Sequence, residues 1–520
     1  MKPSKAIRAF VGAGLFALGL LLALPAPYHA HTFRVAAGGC RLVTDIVDPT
    51  AGVAPGTLPL GYVVLLHGLS ANKRIMSYYA AGFASQGFRV FVPDLPGHGR
   101  TTGPFSYERS EQCTENLVRE MTARGLLDPE KTILVGHSLG GADALRAASH
   151  IPVAGVIAIS PAPMRPVPGI PPEMLPFSSF GALPPHSLVI SGGWEPQRIR
   201  DATKDLVPIP GDGTSEYVVI PHATHVSILF DATAMSVAQK WAALVLHLPI
   251  RPSLPSHRGV LGFFLGFLGI LLLTGPFLRE ALQSNHEATP ARATDPATPI
   301  PKSRAFIETG IVALGAVGLL SYWNPLHALH LFEGDYFASF LFLLGAVLLA
   351  LHWNSLHSLL AVGSNGSASA RPFYVTLLIA AIAALLLQFL ITSWMDLTVS
   401  EAWLTAARWA RFAPFALAVL PYHAAEELFL GPPSPGTGAR RILMALSLRL
   451  LAWGALLAGL FLLHSGEVLP VLLAPYFALF CLLQSWGMKV VREVTASPLA
   501  AALFGAILLA GFSLVVFPAT

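Results

Sequence analysis

Long apolar blocks fill the C-terminal half of the chain, and each is long enough to cross a lipid bilayer as a helix. A helical span needs about 20 predominantly apolar residues, because the hydrocarbon core is roughly 30 Å thick. Eight blocks lie near 259–278, 305–323, 333–352, 373–393, 403–429, 441–463, 468–488 and 497–518. A ninth, 9–24, follows Lys2, Lys5 and Arg8. These blocks predict an all-α, multi-span transmembrane domain.

The segment between the blocks at 9–24 and 259–278 has the mixed charge of a soluble domain. The composition therefore predicts five parts, at 1–30 (a signal-anchor transmembrane segment), 31–250 (a soluble domain), 251–279 (a transmembrane helix), 280–303 (a flexible linker) and 304–520 (a multi-span domain). No small-x-small cleavage pattern follows the first block, which favours an anchor over a cleaved signal peptide. The net charge is only +4. Because the basic residues form no stripe, we expect no nucleic-acid partner.

Basic residues also indicate how the blocks are oriented. With the N-terminus inside, the cytoplasmic loops carry Arg279, Arg292, Lys302, Arg304, Arg371, Arg440, Arg441, Lys489 and Arg492. The opposite loops 324–332, 394–402 and 464–467 have no Lys or Arg. Cytoplasmic loops of membrane proteins are enriched in these residues. The pattern predicts a multi-pass protein of a bacterial plasma membrane, with residues 31–250 outside the cytoplasm.

Cysteine content allows one disulfide at most in the soluble domain. Three cysteines are too few for a disulfide framework or a zinc site. Cys40 and Cys113 can form a bridge if the domain is extracytoplasmic, and two unpaired thiols remain the alternative. Cys481 lies in an apolar block, where it is expected to pack.

Apolar, β-rich runs alternate with helix-period stretches through the soluble domain. The runs lie at 61–66, 89–93, 132–135, 155–159, 187–190 and 216–220, and the helical stretches lie near 73–86, 109–124, 139–149 and 231–247. This alternation predicts an α/β doubly wound, mostly parallel sheet. Ligands of such sheets bind beyond the carboxyl ends of the strands. The chemistry is therefore expected in the residues that follow each run.

A serine flanked by glycines follows the run at 132–135. Gly136-His137-Ser138-Leu139-Gly140-Gly141 stands between that run and a helical stretch. This is G-x-S-x-G in the strand–turn–helix setting of a nucleophile elbow. The pattern predicts that Ser138 is a nucleophile. The backbone N–H groups of Leu69, after the run at 61–66, and of Leu139 are the expected oxyanion-hole donors.

A carboxylate follows the run at 187–190. In this arrangement the acid comes between the serine and the histidine in the chain. Ser191-Gly192-Gly193-Trp194 leads to Glu195, whose carboxylate can orient and stabilise an imidazolium as well as an aspartate can. Asp201, Asp205 and Asp212 are the rivals, and they lie further from the strand end. The spacing favours Glu195.

Two histidines follow the run at 216–220, in Pro221-His222-Ala223-Thr224-His225. His225 precedes a short apolar run and a helix, which is the usual placement of the general base, so it is preferred to His222. Three other polar residues, His67, Asp94 and His98, stand among glycines and prolines, and we expect them to form turns.

These motifs resemble the α/β-hydrolase superfamily, near its monoglyceride-lipase-like and serine-aminopeptidase-like branch. The resemblance covers about residues 33–248. It implies hydrolysis of an ester or related acyl bond through an acyl-enzyme. We expect a small acyl or lipid substrate, and the apolar blocks add membrane lipids as partners. We expect no cofactor and no metal. The segment 161–185 is short and Pro-rich, which leaves no room for the large helical cap common in that branch.

The apolar half contains one polar cluster, His423, Glu426 and Glu427. Paired glutamates are similar to those of intramembrane CAAX-type proteases, but Gly431 stands where that motif has an arginine. We therefore interpret the pair as carboxylates at a helix end that face water. Two function classes follow from the whole sequence: a membrane-anchored serine hydrolase, or a membrane transport or scaffold protein whose hydrolase-like domain is a binding module.

Overall fold

The computed structural model describes residues 3–24, 30–50, 58–164, 183–206, 215–249, 253–282, 300–360, 372–433, 436, 438–463 and 469–520. The predicted linker 280–303 falls mostly outside these ranges, as do the candidate acid Asp212, most of the Pro-rich segment 161–185 and the loop 464–467. The chain divides into two compact units. The sheet unit is Leu20–Phe263, Met395–Ala402 and Pro518–Thr520, and the helical unit is Met1–Gly19, Phe264–Trp394 and Trp403–Phe517.

The sheet unit is built on one mixed sheet. Among the described residues its strands are β1 Ala30–Ala37, β2 Cys40–Val47, β3 Gly61–Leu66, β4 Phe88–Pro93, β5 Thr132–His137, β6 Gly155–Ile159, β7 Ser187–Gly192 and β8 Glu216–Ile220. Their order is β1-β2-β4-β3-β5-β6-β7-β8. Strands β3 to β8 are mutually parallel, with Val63 opposite both Val90 and Ile133. The expected mostly parallel α/β sheet is confirmed.

An antiparallel hairpin at the edge of the sheet was not among the predicted strands. β1 pairs with β2, which pairs in turn with β4. The two residues between β1 and β2 are Gly38 and Gly39, with φ of +54° and +82°. Two positive φ values are what a type I′ hairpin turn requires, and Gly-Gly meets that need without steric strain. The hairpin places Cys40 at the start of β2, where it forms a disulfide with Cys113.

Helices cover both faces of the sheet. They are α2 Ser77–Ser85, α3 Tyr107–Ala123, α4 Leu139–His150, α5 Gln197–Lys204 and α6 Ala232–Val245. Alternate strand residues such as Val63 and Ile133 join Phe83 of α2 and Met235 of α6 in one buried core. This alternation follows from the two-residue period of a strand. The core holds the sheet rigid, so the loops at its carboxyl ends have fixed starting points.

The other helices are α1 Pro3–Ala23, α7 Arg258–Leu282, α8 Lys302–Leu320, α9 Gly334–Leu351, α10 His357–Leu360, α11 Phe373–Thr398, α12 Ala406–Leu430, α13 Gly438–Leu462, α14 Leu469–Leu472, α15 Ala474–Thr495 and α16 Pro498–Val516. Among the described residues, seven helices are long and apolar enough to cross a membrane: α1, α7, α8, α9, α11, α13 and α16. The predicted blocks at 403–429 and 468–488 correspond to α12 and α15. Both are long helices that fall short of this measure of length and composition.

The interpretation of Glu426 and Glu427 as water-facing carboxylates is wrong. Glu426 is 3% exposed and Glu427 is 2% exposed. Arg449 binds both oxygens of Glu426 at 2.8 Å, and Arg441 binds Glu427 at 2.5 Å. Both arginines lie on α13. A buried carboxylate is stable only when it is paired, and the partners on α13 supply that pairing inside the helical unit.

Candidate active site

The backbone is strained where β5 ends. Ser138 connects β5 to α4 with φ +52° and ψ −116°, a conformation that non-glycine residues rarely adopt. A Cβ on Gly140 would lie 2.5 Å from the carbonyl oxygen of Leu66, and one on Gly136 would overlap the backbone of Gly140. The two glycines therefore allow strand and helix to meet at a sharp turn. The turn leaves Ser138 partly exposed at the carboxyl edge of the sheet.

The structure brings Glu195 and His225 together. Glu195 follows β7 and His225 follows β8, and these strands are neighbours in the sheet. His225 Nδ1 lies 2.7 Å from Glu195 Oε1, and Gly192 N–H donates to Oε2 at 2.9 Å. The carboxylate is buried, whereas the His225 ring is 46% exposed. With Nδ1 donating to Glu195, the Nε2 lone pair of neutral His225 is free to accept a proton.

The rival residues lie elsewhere. His222 is exposed, and its ring contacts that of Trp194 at 5.7 Å between centroids. Asp201 lies within α5 and Asp205 at its C-terminal end. Among the described residues, the carboxylate hydrogen-bonded to His225 is that of Glu195.

His137, which sequence reasoning passed over, connects the elbow to the histidine loop. Its Nε2–H donates to the backbone carbonyl of His225 at 2.7 Å, and the two rings lie 4.9 Å apart. Burial, with the nearby His225, lowers the pKa of His137 to about 3, so the ring stays neutral and keeps a single N–H to donate. The residue between Gly136 and Ser138 thus holds the His225 backbone beside the elbow. Its place in the G-x-S-x-G motif is the signal that could have indicated this.

The loop after β3 passes close to Ser138. A Cβ on Gly68 would lie 3.1 Å from the Cβ of Ser138, so only glycine fits this approach comfortably. Leu69 follows Gly68, and Leu139 is the first residue of α4. The first amides of a helix have no partner within it and favour negative charge. Of the two residues expected to form an oxyanion hole, Leu139 therefore directly follows the serine, and Leu69 directly follows the glycine that approaches it.

Three polar residues bind backbone groups of the loops after β3 and β4, as the turn-forming role expected of them requires. His67 accepts from the N–H of Leu95 at 3.0 Å and donates to the carbonyl of Gly68 at 2.8 Å. Burial lowers its pKa to about 4, so it is neutral. His98 Nε2 accepts from the N–H of Ser70 at 3.1 Å, and Asp94 accepts from that of Lys73 at 2.9 Å.

Among the described residues, Glu111, Glu115 and His150 are the group whose ligand atoms lie close enough to hold a metal, within 4.8 Å. They are already paired with other groups. His150 binds Glu115 at 2.6 Å, Arg119 binds Glu115 at 3.0 Å and Arg146 binds Glu111 at 3.4 Å. These ion pairs account for the group, and we assign no metal to it.

Among the described residues, the eight-stranded, mostly parallel sheet carries a strained serine after β5 and a hydrogen-bonded glutamate and histidine after β7 and β8. This arrangement defines an α/β hydrolase. Residues 63–339, more than half of the chain, match the alpha/beta hydrolase family. The chain therefore belongs to that family.

Its curated relatives include esterases and lipases. The chain is similar to pimeloyl-[acyl-carrier protein] methyl ester esterase of Edwardsiella ictaluri, with 36% identity over 19% of this chain and 36% of the relative. Its identity to monoacylglycerol lipase of Mycolicibacterium smegmatis is 31%, over 21% of this chain and 38% of the relative. The chain thus spans less than half the length of these relatives, whose names support hydrolase activity.

Solved structures that resemble part of this chain include two hydrolases. An α/β serine hydrolase without a lid from Xanthomonas campestris is 19% identical, with a TM-score of 0.34 over 43% of this chain and 97% of that one. A monoglyceride lipase from Saccharomyces cerevisiae is 17% identical, with a TM-score of 0.32 over 42% and 99%.

Proposed function

We propose that this protein is a membrane-anchored serine hydrolase that cleaves an ester or related acyl bond through an acyl-enzyme on Ser138. The observation that carries the proposal is the Glu195–His225 hydrogen bond on the loops beside the strained Ser138 elbow. A binding module needs neither a strained serine nor a histidine oriented by a buried carboxylate. Strain of this kind persists where function requires it.

The mechanism uses each residue once in each half-reaction. Ser138 Oγ attacks the acyl carbon while its proton passes to His225 Nε2, and Glu195 stabilises the imidazolium. The N–H groups of Leu69 and Leu139 stabilise the oxyanion. The C–O bond to the leaving group then breaks, and the alcohol takes the proton from His225. Water attacks the acyl-enzyme in the same way and releases the acid.

A carboxylic ester with a small acyl or lipid group is the proposed substrate. The relatives named for esterase and lipase activity support the ester. Trp194, which is 66% exposed and directly precedes Glu195, offers an apolar surface for an acyl chain. An amide substrate would make the protein a peptidase, and it is the alternative that a substrate panel has to separate.

The membrane location is part of the proposal. Seven described helices are long and apolar enough to span a bilayer, and the positive-inside pattern favours an extracytoplasmic hydrolase. The Cys40–Cys113 disulfide supports the same side, since disulfides persist in oxidising compartments.

Activity-based labelling tests the proposal directly. A fluorophosphonate probe applied to membranes should label the full chain, and Ser138→Ala should abolish both labelling and turnover of acyl esters without a change in folding. Loss of a triad residue typically lowers kcat by several orders of magnitude. Undiminished labelling of Ser138→Ala would reject the nucleophile. No labelling of the wild type, with a folded domain, would favour the transport or scaffold alternative.

A further inference from the structure

A buried group of charges lies behind the loop that carries Leu69. Lys73, which is 2% exposed, pairs with Asp94 at 3.1 Å and with Glu401 at 2.6 Å. We name these three residues the charge cluster. Asp45 lies 3.9 Å from the Lys73 ammonium, and Arg100 lies 3.4 Å from Glu401. A buried lysine is tolerated only with such partners, so the cluster holds Lys73 in one position.

Glu401 comes from a distant part of the sequence. It belongs to Met395–Ala402, a segment of the sheet unit that begins in the last turn of α11. Glu401 itself lies 328 residues beyond Lys73. The side chain of Asn72 binds the same segment. Its Oδ1 accepts from the N–H of Glu401 at 3.0 Å, and its Nδ2 donates to Ser400 Oγ at 2.9 Å and to the Glu401 carbonyl at 3.4 Å.

These contacts fix the far end of the oxyanion loop, which we define as residues 68–72. His98 holds it at Ser70, and Met395–Ala402 holds it at Asn72 and at the adjoining Lys73. Its near end passes Ser138 at Gly68. Oxyanion donors act only when they are held within about 0.5 Å of the productive position. The contacts at 72–73 therefore help to fix the position of the Leu69 amide, three residues before Asn72.

We propose that Glu401 is a positioning residue for the oxyanion loop, fixing the Leu69 amide against Ser138 through Lys73 and Asn72. This inference rests on the proposed function and extends it: catalysis requires a residue encoded far beyond the hydrolase sequence.

The ionisation of Glu401 gives the proposal a distinctive signature. Burial and the neighbouring Asp94 carboxylate raise the pKa of Glu401 to about 7, while Lys73 opposes the rise. The two cations that face it, Lys73 and Arg100, keep their charge near neutral pH. Burial lowers the pKa of Lys73, but the carboxylates of Asp94 and Glu401 outweigh burial and raise it. The pKa of Arg100 is also raised, despite the burial of its guanidinium. His67 stays neutral, and Asp45 faces Lys73 from β2. Anchoring by an ionised Glu401 is therefore nearly complete at pH 8, is half lost near pH 7 and is largely lost at pH 5.5.

The test compares Glu401→Gln with Asp396→Asn in the full-length protein purified in detergent. Both are acid-to-amide changes in one segment, but among the described residues Asp396 forms its ion pair with the half-exposed Arg100, at 3.4 Å. With p-nitrophenyl acetate at pH 8, we expect Glu401→Gln to lower kcat roughly 10- to 100-fold with KM within about twofold, below the loss for removing an oxyanion donor outright. Asp396→Asn should stay within about twofold of wild type. Each kcat is expressed per folded molecule, because removing one charge of a buried ion pair also lowers stability.

The pH dependence separates positioning from a purely structural role. At pH 5.5 wild-type Glu401 is protonated and resembles glutamine, so the kcat ratio of wild type to Glu401→Gln should fall towards one. Normalising to wild type removes the common effect of His225. If Glu401→Gln does not fold, Asn72→Ser replaces it. Serine keeps the cap that Asn72 gives to the N–H of Arg74 but drops both contacts to the Glu401 backbone, and the same loss of kcat is expected.

Three results would overturn the inference. They are a wild-type kcat for Glu401→Gln at pH 8, a kcat ratio that stays constant between pH 5.5 and 8, or a loss that follows the folded fraction. An inactive Ser138→Ala beside a fully active Glu401→Gln would reject the positioning role alone. Activity that survives Ser138→Ala would reject the proposed function itself.

Discussion

Replacing Glu195 by glutamine tests the Glu195–His225 hydrogen bond most sharply, because both oxygens of the Glu195 carboxylate are acceptors. Oε1 lies 2.7 Å from His225 Nδ1, and Oε2 accepts from the N–H of Gly192 at 2.9 Å. Glutamine has one acceptor and one donor at the same two positions. If its oxygen faces Gly192, its NH2 faces His225, and the imidazole proton must move to Nε2. That nitrogen can then no longer act as the base.

The Gly192 amide sets the size of the effect. Turning the glutamine oxygen towards His225 would leave two N–H donors opposed in a buried site, at a cost of about 1–3 kcal/mol. Roughly one molecule in six to one in a hundred and sixty would then keep the productive tautomer. That fraction also lacks the negative charge that stabilises the imidazolium. We expect kcat/KM to fall by about 10³- to 10⁴-fold, as for a triad acid changed to its amide.

Steady-state hydrolysis of p-nitrophenyl esters measures the effect, with Asp201→Asn as the matched control. Asp201 lies on α5 beyond the acid loop, so its variant should keep wild-type activity. Glu195→Asp retains the charge and both acceptor oxygens and should lie between the two. Activity of Glu195→Gln within tenfold of wild type would refute the tautomer argument. An equal loss of kcat/KM in Asp201→Asn or Asp205→Asn would identify that aspartate as the acid instead.

Three further predictions concern stability and sidedness. Burial raises the pKa of Asp143 to about 7; the folded protein therefore keeps a proton that the unfolded chain loses from about pH 4, and stability falls as pH rises to 7. The free energy of unfolding of Asp143→Asn, measured in denaturant relative to that of wild type, should rise by roughly 1–4 kcal/mol from pH 4 to 7 and then level off. A difference that stays constant with pH would contradict the buried acid. The Cys40–Cys113 bridge, with a separation of 73 residues, should contribute about 2–5 kcal/mol to the free energy of unfolding, measured with and without reductant, and no change on reduction would argue against the bridge. In intact spheroplasts, added protease should degrade the hydrolase domain, and a cysteine placed in the 280–303 linker should react with impermeant reagents only after lysis; the reverse would invert the topology.

The central sheet could be predicted because its signals are local. The runs at 61–66 and 132–135 are buried on both faces as β3 and β5, so each is continuously apolar. The serine elbow and the histidine loop follow from motif and chain order. The hairpin β1–β2 was missed although Gly38-Gly39 marks its turn, because a half-exposed edge pair gives no continuous apolar run.

The contacts that depend on distant residues could not be predicted. Lys73 and Glu401 look like ordinary surface charges in sequence, and only folding brings them within 2.6 Å. The error over Glu426 has the same origin. Arg449 lies 23 residues away on another helix, and hydropathy does not indicate which faces of α12 and α13 meet. Sequence periodicity specifies a face of a helix but not its neighbour.

The separation of Lys73 from Glu401 has a consequence for the order of biosynthesis. A ribosome working at about 5–20 residues per second reaches codon 401 roughly 16–65 s after codon 73. During that interval the sheet strands, Ser138 and His225 have all been made, yet the buried ammonium still lacks its second anion. If Glu401 positions the oxyanion loop, the nascent hydrolase domain stays roughly 10- to 100-fold less active until α11 and residue 401 have been synthesised. Full activity would then arise only once most of the apolar helices have been made, so that a truncated chain released early would hydrolyse acyl bonds slowly.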